Sequence, residues 1–334
     1  MNGFGAKMKK FFSSNIREFS LILVILVIAV FVQVRSGGKF LLAENIADVF
    51  TETSILAILA VGMMMVIITT GIDLSIGAVM ALAGMIGTVI LKNNPGLSPL
   101  LVILIAVAVG LACGMLNGVL VAKLRVLPII ATLGMMNVYR GLTYLVGNGG
   151  WVLQGDMGSE FLSVATGSVF GINNLVVIAL LIYIIGYYFL NYTKTGRQIY
   201  AVGNSEESAR VSGIKTKKVL WTAYTIMGAI AGLAGILYVC KFAAAQGETA
   251  TGYEMNVIAA CVLGGVSIAG GTGRIQGVLL GALLLGILNN AMPLIQVSAF
   301  WQEAIRGLII LFSIITNALI QRNVQKKALQ RRRI

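Results

Sequence analysis

Polar side chains inside apolar segments are the residues of this sequence best placed to do chemistry. Charged residues make up only 11% of the 334 positions, whereas 58% are hydrophobic. Polar groups at bilayer depth are costly and often serve a function. We therefore expect the following residues to line a path for a polar solute: Asp73, Asn117, Asn137, Arg140, Asn289 and Asn290.

Each candidate also has a purely structural interpretation. Asp73, helped by Ser75, is equally suited to capping a helix, and Asn117 to a hydrogen bond between helices. Arg140 should face the bundle interior or the outer rim. Asn289 and Asn290 could instead cap a helix end. Tyr139, Tyr144 and Trp151 could anchor the membrane interface rather than stack on a solute. Glu303 and Arg306, three positions apart, could form a salt bridge.

Catalytic constellations are absent from the sequence. It has no histidine, and Cys113, Cys240 and Cys261 each lie in an apolar run, as expected of buried thiols. No nucleophile–base set, metal-ligand cluster or pair of catalytic carboxylates stands out. The glycine-rich stretch 264–277 lacks the spacing of a phosphate loop and favours helix breaking and close packing. We therefore expect no enzyme, no metal site and no cofactor bound by this chain.

Long apolar segments predict an all-α integral membrane protein, because about 20 apolar residues cross the hydrocarbon core. The eighth segment is short enough to be a re-entrant or broken helix. The first lacks a cleavage site and is predicted to be a membrane helix rather than a signal peptide. One transmembrane domain, 19–320, lies between an N-terminal segment, 1–18, and a basic tail, 321–334. The ten candidate spans are 19–34, 53–70, 74–91, 99–122, 128–146, 173–191, 219–242, 254–268, 276–292 and 300–320.

Basic residues predict the orientation. If both termini are cytoplasmic, the segments outside the cell hold only Arg35, Lys39, Lys92 and Lys241, while most other Lys and Arg residues fall inside. The net charge of +13 then reflects topology, and the basic tail should lie against the anionic leaflet rather than on nucleic acid.

Two glycine stripes predict close helix packing, within the bundle or in a dimer. Glycines four positions apart place small residues on one helix face, so that a neighbouring backbone can approach. The stripes are Gly110, Gly114 and Gly118, and Gly273, Gly277 and Gly281.

The largest hydrophilic insert on the predicted inner side is the 191–218 loop. We expect a turn, a short strand-like stretch, a second turn and a short helix capped by Asn204 or Ser205. Glu206 and Glu207 would occupy its first turn, and Gly213 would end it. A short polar helix at the membrane face suits the docking of a partner subunit; an ordinary solvated loop is the alternative.

The segment EESARVSG, 206–213, resembles the EAA motif of ABC importer permeases, Glu-Ala-Ala-x-x-x-Gly. Glu207, Ala209 and Gly213 match the motif, and Ser208 stands at its first alanine. The whole loop is similar to the coupling loop of the ribose-type permease family. Stretches at 69–77, 127–150 and 258–290 also resemble that family, in the same order. The resemblance implies ATPase coupling by Thr195, Gly196, Arg197, Gly203, Asn204, Glu206, Glu207, Ala209, Arg210 and Gly213.

The resemblance also implies a multi-subunit importer in the bacterial inner membrane. An extracytoplasmic binding protein would deliver a sugar to two permease subunits, identical or homologous. ATP and Mg²⁺ would be bound by a separate ATPase subunit, and transport would proceed by alternating access. A neutral sugar would meet amide side chains, which favours Asn117, Asn137, Asn289 and Asn290 as pathway residues.

The branch of the family that carries rhamnose and autoinducer-2 is the most similar, on stretches 50–60, 149–152 and 252–265. Ribose, xylose, galactose and nucleosides remain alternatives, because selectivity resides largely with the binding protein. An ion-coupled secondary transporter would need an intramembrane carboxylate or histidine relay, and this chain has no histidine and few acids within spans.

Overall fold

The computed structural model describes residues 16–309, 311–312 and 315. Helices dominate this part of the chain. They are α1 (Ile16–Arg35), α2 (Ala43–Ile68), α3 (Ile76–Asn93), α4 (Pro99–Gly118), α5 (Pro128–Val146), α6 (Ser159–Thr166), α7 (Asn174–Tyr192), α8 (Lys194–Asn204), α9 (Glu206–Val211), α10 (Thr216–Phe242), α11 (Tyr253–Leu263) and α12 (Ile275–Leu294).

Two small antiparallel ribbons add strands that the sequence did not predict. Strand β1 (Val152–Leu153) pairs with β4 (Ala244–Ala245), and β2 (Ser168–Val169) pairs with β3 (Ile172–Asn173). All four lie in connections between helices.

Eight helices in the described part are long and apolar enough to span a membrane, and they coincide with eight of the predicted spans. The eighth predicted segment is the exception. Helix α11 has 11 residues and measures about 16 Å, roughly half of the hydrocarbon core. Residues 299–309 are helical, whereas eight of the 21 residues of the predicted tenth span, and the whole tail, lie outside the described residues. The count of ten and the orientation remain predictions.

Helices α2 and α10 form the centre of the bundle. Residues Ser54 to Ile68 of α2 are all buried, and α10 packs against α2, α3 and α4. The glycine stripe of α4 makes the predicted close approach: a Cβ added at Gly114 would lie 2.9 Å from Cα of Gly228 on α10. The second stripe packs Gly277 and Gly281 of α12 against Gly264 at the end of α11. Both stripes therefore act within one chain.

Local sequence explains several helix ends. Proline opens α4 and α5, where its missing N–H is not needed. The carboxamide oxygen of Asn173 caps α7 by accepting from the backbone N–H of Leu175 at 2.8 Å. After α4, Val119–Lys123 form a π-helical turn that redirects the chain toward α5.

The connections separate onto two sides of the bundle. On one side, the 191–218 loop contacts the ends of α2 and α4 and the glycine-rich stretch before α12, through contacts described below. On the other side, β1 pairs with β4, and Lys92 forms an ion pair with Asp156 at 3.2 Å. The pairing of sides matches the predicted alternation of spans.

Candidate functional site

Helix α9 is short but closed at both ends. The Ser205 hydroxyl accepts from the backbone N–H of Ser208 at 3.2 Å, so Ser205 is the cap and Asn204 is not. At the other end Gly213 adopts φ +81°, a left-handed conformation that favours glycine. The N–H groups of Gly213 and Ile214 donate to the carbonyls of Arg210 and Ala209, both at 3.0 Å. These two hydrogen bonds complete the predicted C-terminal cap.

The outer face of α9 presents charged and apolar groups together. Ala209 is buried and fixes the helix to the body, whereas Glu207 and Arg210 are exposed. Val211 is 83% exposed. Glu207, Arg210 and Val211 together form the outward face of α9. Sequence analysis missed Val211 because the motif does not specify its position.

Glu206 has a different role from Glu207. Nη1 of Arg125 lies 2.9 Å from one carboxylate oxygen of Glu206 and 3.1 Å from the other. The carboxylate also accepts a hydrogen bond from the Thr216 hydroxyl at 3.0 Å. Arg125 lies in the connection between α4 and α5, and Thr216 begins α10. Glu206 thus anchors α9 to the α4–α5 connection and to α10, while Glu207 is exposed.

Helix α8 replaces the strand-like stretch expected at this point. The Thr193 hydroxyl caps it by accepting from the N–H of Gly196 at 3.0 Å. Its β-branched and aromatic residues Ile199, Tyr200 and Val202 suggested a strand, but they form the inward face of an amphipathic helix. The expected strand was therefore wrong, because docking to the body decides the conformation.

Gly203 brings α8 against the end of α2. An added Cβ there would collide with the carbonyl oxygen of Ile68 and lie 2.7 Å from the backbone nitrogen of Gly271. The N–H of Gly271 donates to the same Ile68 carbonyl at 2.9 Å. Asn204 lies against Gly271 as well.

Other residues of α8 strengthen this contact. The Tyr200 hydroxyl donates to the carbonyl of Gly273 at 3.0 Å, and burial raises the pKa of Tyr200. Gly196 packs on the backbone of α7, Arg197 donates to the carbonyl of Tyr192 at 3.3 Å, and Thr195 is partly exposed. The resemblance-derived residues therefore divide into an inward, packing set and an outward set.

Asp73 and Asn117 meet in a buried polar cluster. One carboxylate oxygen of Asp73 accepts from the N–H and the hydroxyl of Ser75, at 2.9 Å and 2.6 Å, and the other accepts from Asn117 Nδ2 at 3.3 Å. Asn117 also donates to the Ser75 hydroxyl at 2.8 Å and accepts from the Tyr139 hydroxyl at 3.1 Å. Asp73 and Asn117 are 2% and 1% exposed, so neither reaches the surface of one copy.

The cluster gives each of these two residues a structural role. Helix α3 begins at Ile76, so Asp73 lies before the cap position and closes a turn onto Ser75 instead. Asn117 makes hydrogen bonds between helices, as its structural interpretation predicted. Tyr139, considered for stacking or anchoring, supplies the third helix of the cluster.

Arg140 holds a non-helical segment inside the bundle. Its Nη1 donates to the carbonyls of Gly247 and Thr249, at 2.7 Å and 2.8 Å. Arg140 lies 12 residues after Pro128, about 18 Å along α5 and thus deep in the bilayer. Segment 243–252 therefore descends from the end of α10 before α11 begins, and irregular backbone at that depth needs such donors.

The remaining predicted residues are spread over the chain. Asn137 is exposed on α5, with Nδ2 donating to its own helix at Leu133. Asn289 is partly buried on α12, and Asn290 donates to Asn45 of α2 at 3.2 Å. The salt bridge between Glu303 and Arg306 is confirmed at 2.7 Å.

The aromatic candidates beyond the cluster stay near the ends of α5. Tyr144 packs on Gly247, and Trp151 is 62% exposed. In the described part of the chain, no group of three or more His, Cys, Asp and Glu side chains is arranged to hold a metal ion.

The fold and the 191–218 loop together define a multi-helix membrane permease. The family described as "Branched-chain amino acid transport system / permease component" matches residues 45–314, and the chain belongs to this family. It is a transport subunit rather than an enzyme, and it resides in the inner membrane.

Curated relatives cover nearly the whole chain. The ribose import permease protein of Escherichia coli K12 is 39% identical over 88% of this chain and 92% of the relative. The ribose import permease protein of Haemophilus influenzae is 36% identical over 90% and 93%. The autoinducer 2 import system permease protein of Yersinia pseudotuberculosis is 34% identical over 96% and 91%. No solved structure matches the chain.

Proposed function

We propose that this chain is the membrane subunit of an ATP-driven importer of a rhamnose- or ribose-type monosaccharide. A separate ATPase supplies the energy, a second permease subunit, identical or homologous, completes the path, and an extracytoplasmic binding protein delivers the cargo. Autoinducer-2 is the alternative cargo. Ribose is the cargo named for the Escherichia coli relative and autoinducer 2 the one named for the Yersinia pseudotuberculosis relative. The similarity of stretches 50–60, 149–152 and 252–265 supports rhamnose.

The anchoring of α9 carries the proposal. A docking helix transmits force only if it is tied to the membrane helices, and Glu206 ties it to Arg125 and Thr216. Through Gly203, the preceding helix α8 contacts the end of α2 and the stretch before α12. A displacement of Glu207, Arg210 and Val211 by a bound ATPase therefore reaches four parts of the bundle at once: the α4–α5 connection, α10, the end of α2 and the stretch before α12.

The exposed face of α5 is the best candidate for the path between two copies. Asn137 stands on it between Gly134 and Gly141, and an added Cβ at either glycine meets nothing within 4 Å in one copy. An amide with small neighbours gives a neutral sugar a hydrogen-bonding partner without tight binding. The buried Asp73, Asn117 and Arg140 would position α3, α4 and segment 243–252 behind that face.

Uptake of labelled cargo tests the proposal. Cells with and without this gene would be given L-rhamnose, ribose and autoinducer-2. We expect the deletion to abolish one uptake, and the wild-type gene to restore it. Glu207→Arg should insert normally but fail to restore uptake, because it reverses the charge of the outward face of α9.

A matched control is Glu160→Arg on α6, an exposed acidic residue at the first turn of a short helix outside the 191–218 loop. It should restore uptake fully. Survival of all three uptakes in the deletion strain would contradict the cargo, and full activity of Glu207→Arg would contradict coupling through α9.

A further inference from the structure

A cationic cavity lies where α8 and α10 begin. Its volume is about 310 Å³. Three lysines from the two helix starts converge on it, together with uncharged polar side chains and the exposed Gly213 that ends α9. The charged and polar lining residues are Lys194, Lys215, Lys218, Thr195, Gln198 and Thr222.

The cavity has an uncompensated positive charge. No acidic residue lines it, and none of its three lysines forms a salt bridge with another residue in the described part of the chain. The first turns of α8 and α10 contain no acid, and Lys217 adds a further positive charge to the first turn of α10. Because the amino end of a helix is itself positive, cations there repel it. An anion in the cavity would relieve this repulsion at both helices.

The position of the cavity indicates which anion. Val219 and Thr222, which line it, belong to the first turns of the membrane helix α10. Lys194 follows the end of α7, where exposed Tyr188 stacks on exposed Tyr192 with ring centroids 5.6 Å apart. Tyrosines at the end of an apolar helix mark the level of the lipid headgroups. Basic pockets between membrane helices at that level bind anionic headgroups.

We propose that the cavity binds the phosphate headgroup of an anionic phospholipid of the surrounding bilayer. Lys194, Lys215 and Lys218 bind the phosphate. The Thr195 and Gln198 side chains donate hydrogen bonds to the phosphate oxygens or to the alcohol part of the headgroup. Since Gly213 lines the same cavity, the bound lipid sits between α8, the end of α9 and α10. The proposal goes beyond the transport function and holds whichever cargo is carried.

The test is native mass spectrometry of the purified full-length permease titrated with phosphatidylglycerol. Near a membrane surface each lysine contributes about fivefold to the affinity for anionic lipid, so removing three should weaken the tightest binding step by about a hundredfold. The test variant is Lys194→Gln, Lys215→Gln and Lys218→Gln together. The control removes the same charge by changing the exposed Arg35, Lys39 and Lys123 to glutamine, since none of these three lines the cavity.

We expect the test variant to lose about a hundredfold in affinity for phosphatidylglycerol and the control to stay within about threefold. Phosphatidylcholine should bind weakly to every form. Equal affinity of the test variant and the wild type would overturn the proposal. So would displacement of the lipid by millimolar glycerol phosphate alone, since that result would mark a site for a soluble anion.

The lysines of the cavity could instead bind an acidic surface of a partner protein, and the experiment must distinguish this outcome from lipid binding. If the test variant loses its ATPase subunit during copurification while its phosphatidylglycerol affinity is unchanged, the lysines serve the protein partner and the lipid proposal is wrong.

Discussion

Replacing Gly203 with alanine should separate α8 from the end of α2. The new Cβ would lie 2.7 Å from the backbone nitrogen of Gly271, and ordinary contact begins at 3.4 Å, so the backbones must part by at least 0.7 Å. The carbonyl oxygen of Ile68 lies closer still. All these atoms are main chain, and no flexible side chain can give way.

The expected cost combines two terms. Overpacking of this kind costs about 1–3 kcal/mol. A parting of the backbones also lengthens the bond from the Gly271 N–H to the Ile68 carbonyl, now 2.9 Å, and a weakened buried hydrogen bond adds about 1 kcal/mol. We therefore expect a loss of about 2–4 kcal/mol, concentrated at the contact between the 191–218 loop and the bundle.

Thermal unfolding of the purified permease measures the loss of stability, and uptake by cells measures the loss of transport. Gly203→Ala should melt several degrees below the wild type and should lose most uptake while it still inserts. The control is Gly158→Ala, because a Cβ there meets nothing within 4 Å and the glycine has an ordinary φ of −63°. A Gly203→Ala protein with wild-type melting and uptake would refute the packing argument.

Three further predictions concern the bundle and its orientation. Arg140→Met should lower the melting temperature by several degrees, because two carbonyls deep in the bilayer lose a charged donor, each bond contributing about 1.5–3 kcal/mol; unchanged melting would show that the segment needs no clamp. Asn117→Leu should cost about 1–3 kcal/mol, measured by denaturation, whereas the same change at exposed Asn137 should cost little; equal costs would contradict the buried cluster. Cysteine at Phe170, which is fully exposed, should react with an impermeant maleimide in intact cells, and cysteine at Val211 only after permeabilisation; the reverse pattern would invert the predicted topology.

Much of the fold follows from apolar segment length, since α5 was predicted at its observed bounds, 128–146. Segment 254–268 was harder. Its residues are mostly apolar as far as Ile268, but Gly264 and Gly265 end α11, and Gly265 takes φ +90°. Composition reports which residues prefer the bilayer and says little about where a helix stops inside it.

The site was predicted only as far as local signals reach. Ser205, Gly213 and the motif around Glu207 are local, and the sequence was sufficient for them. The pairing of Arg125 with Glu206 joins residues 81 positions apart, and Arg140 binds main-chain carbonyls that no pattern reveals. In the sequence Arg125 contributed only a positive charge to the inner side. Tertiary contacts decide such partners.

The most direct test of the central claim is a cross-link from Val211 to the ATPase. The cysteines of the chain, Cys113, Cys240 and Cys261, are buried, so Val211→Cys places a single accessible thiol on the outward face of α9 in the described part of the chain. With the ATPase subunit co-expressed, we expect a thiol cross-linker to join the two proteins at Val211→Cys but not at Phe170→Cys. A cross-link from Phe170→Cys, or none from a fully labelled Val211→Cys, would contradict the account.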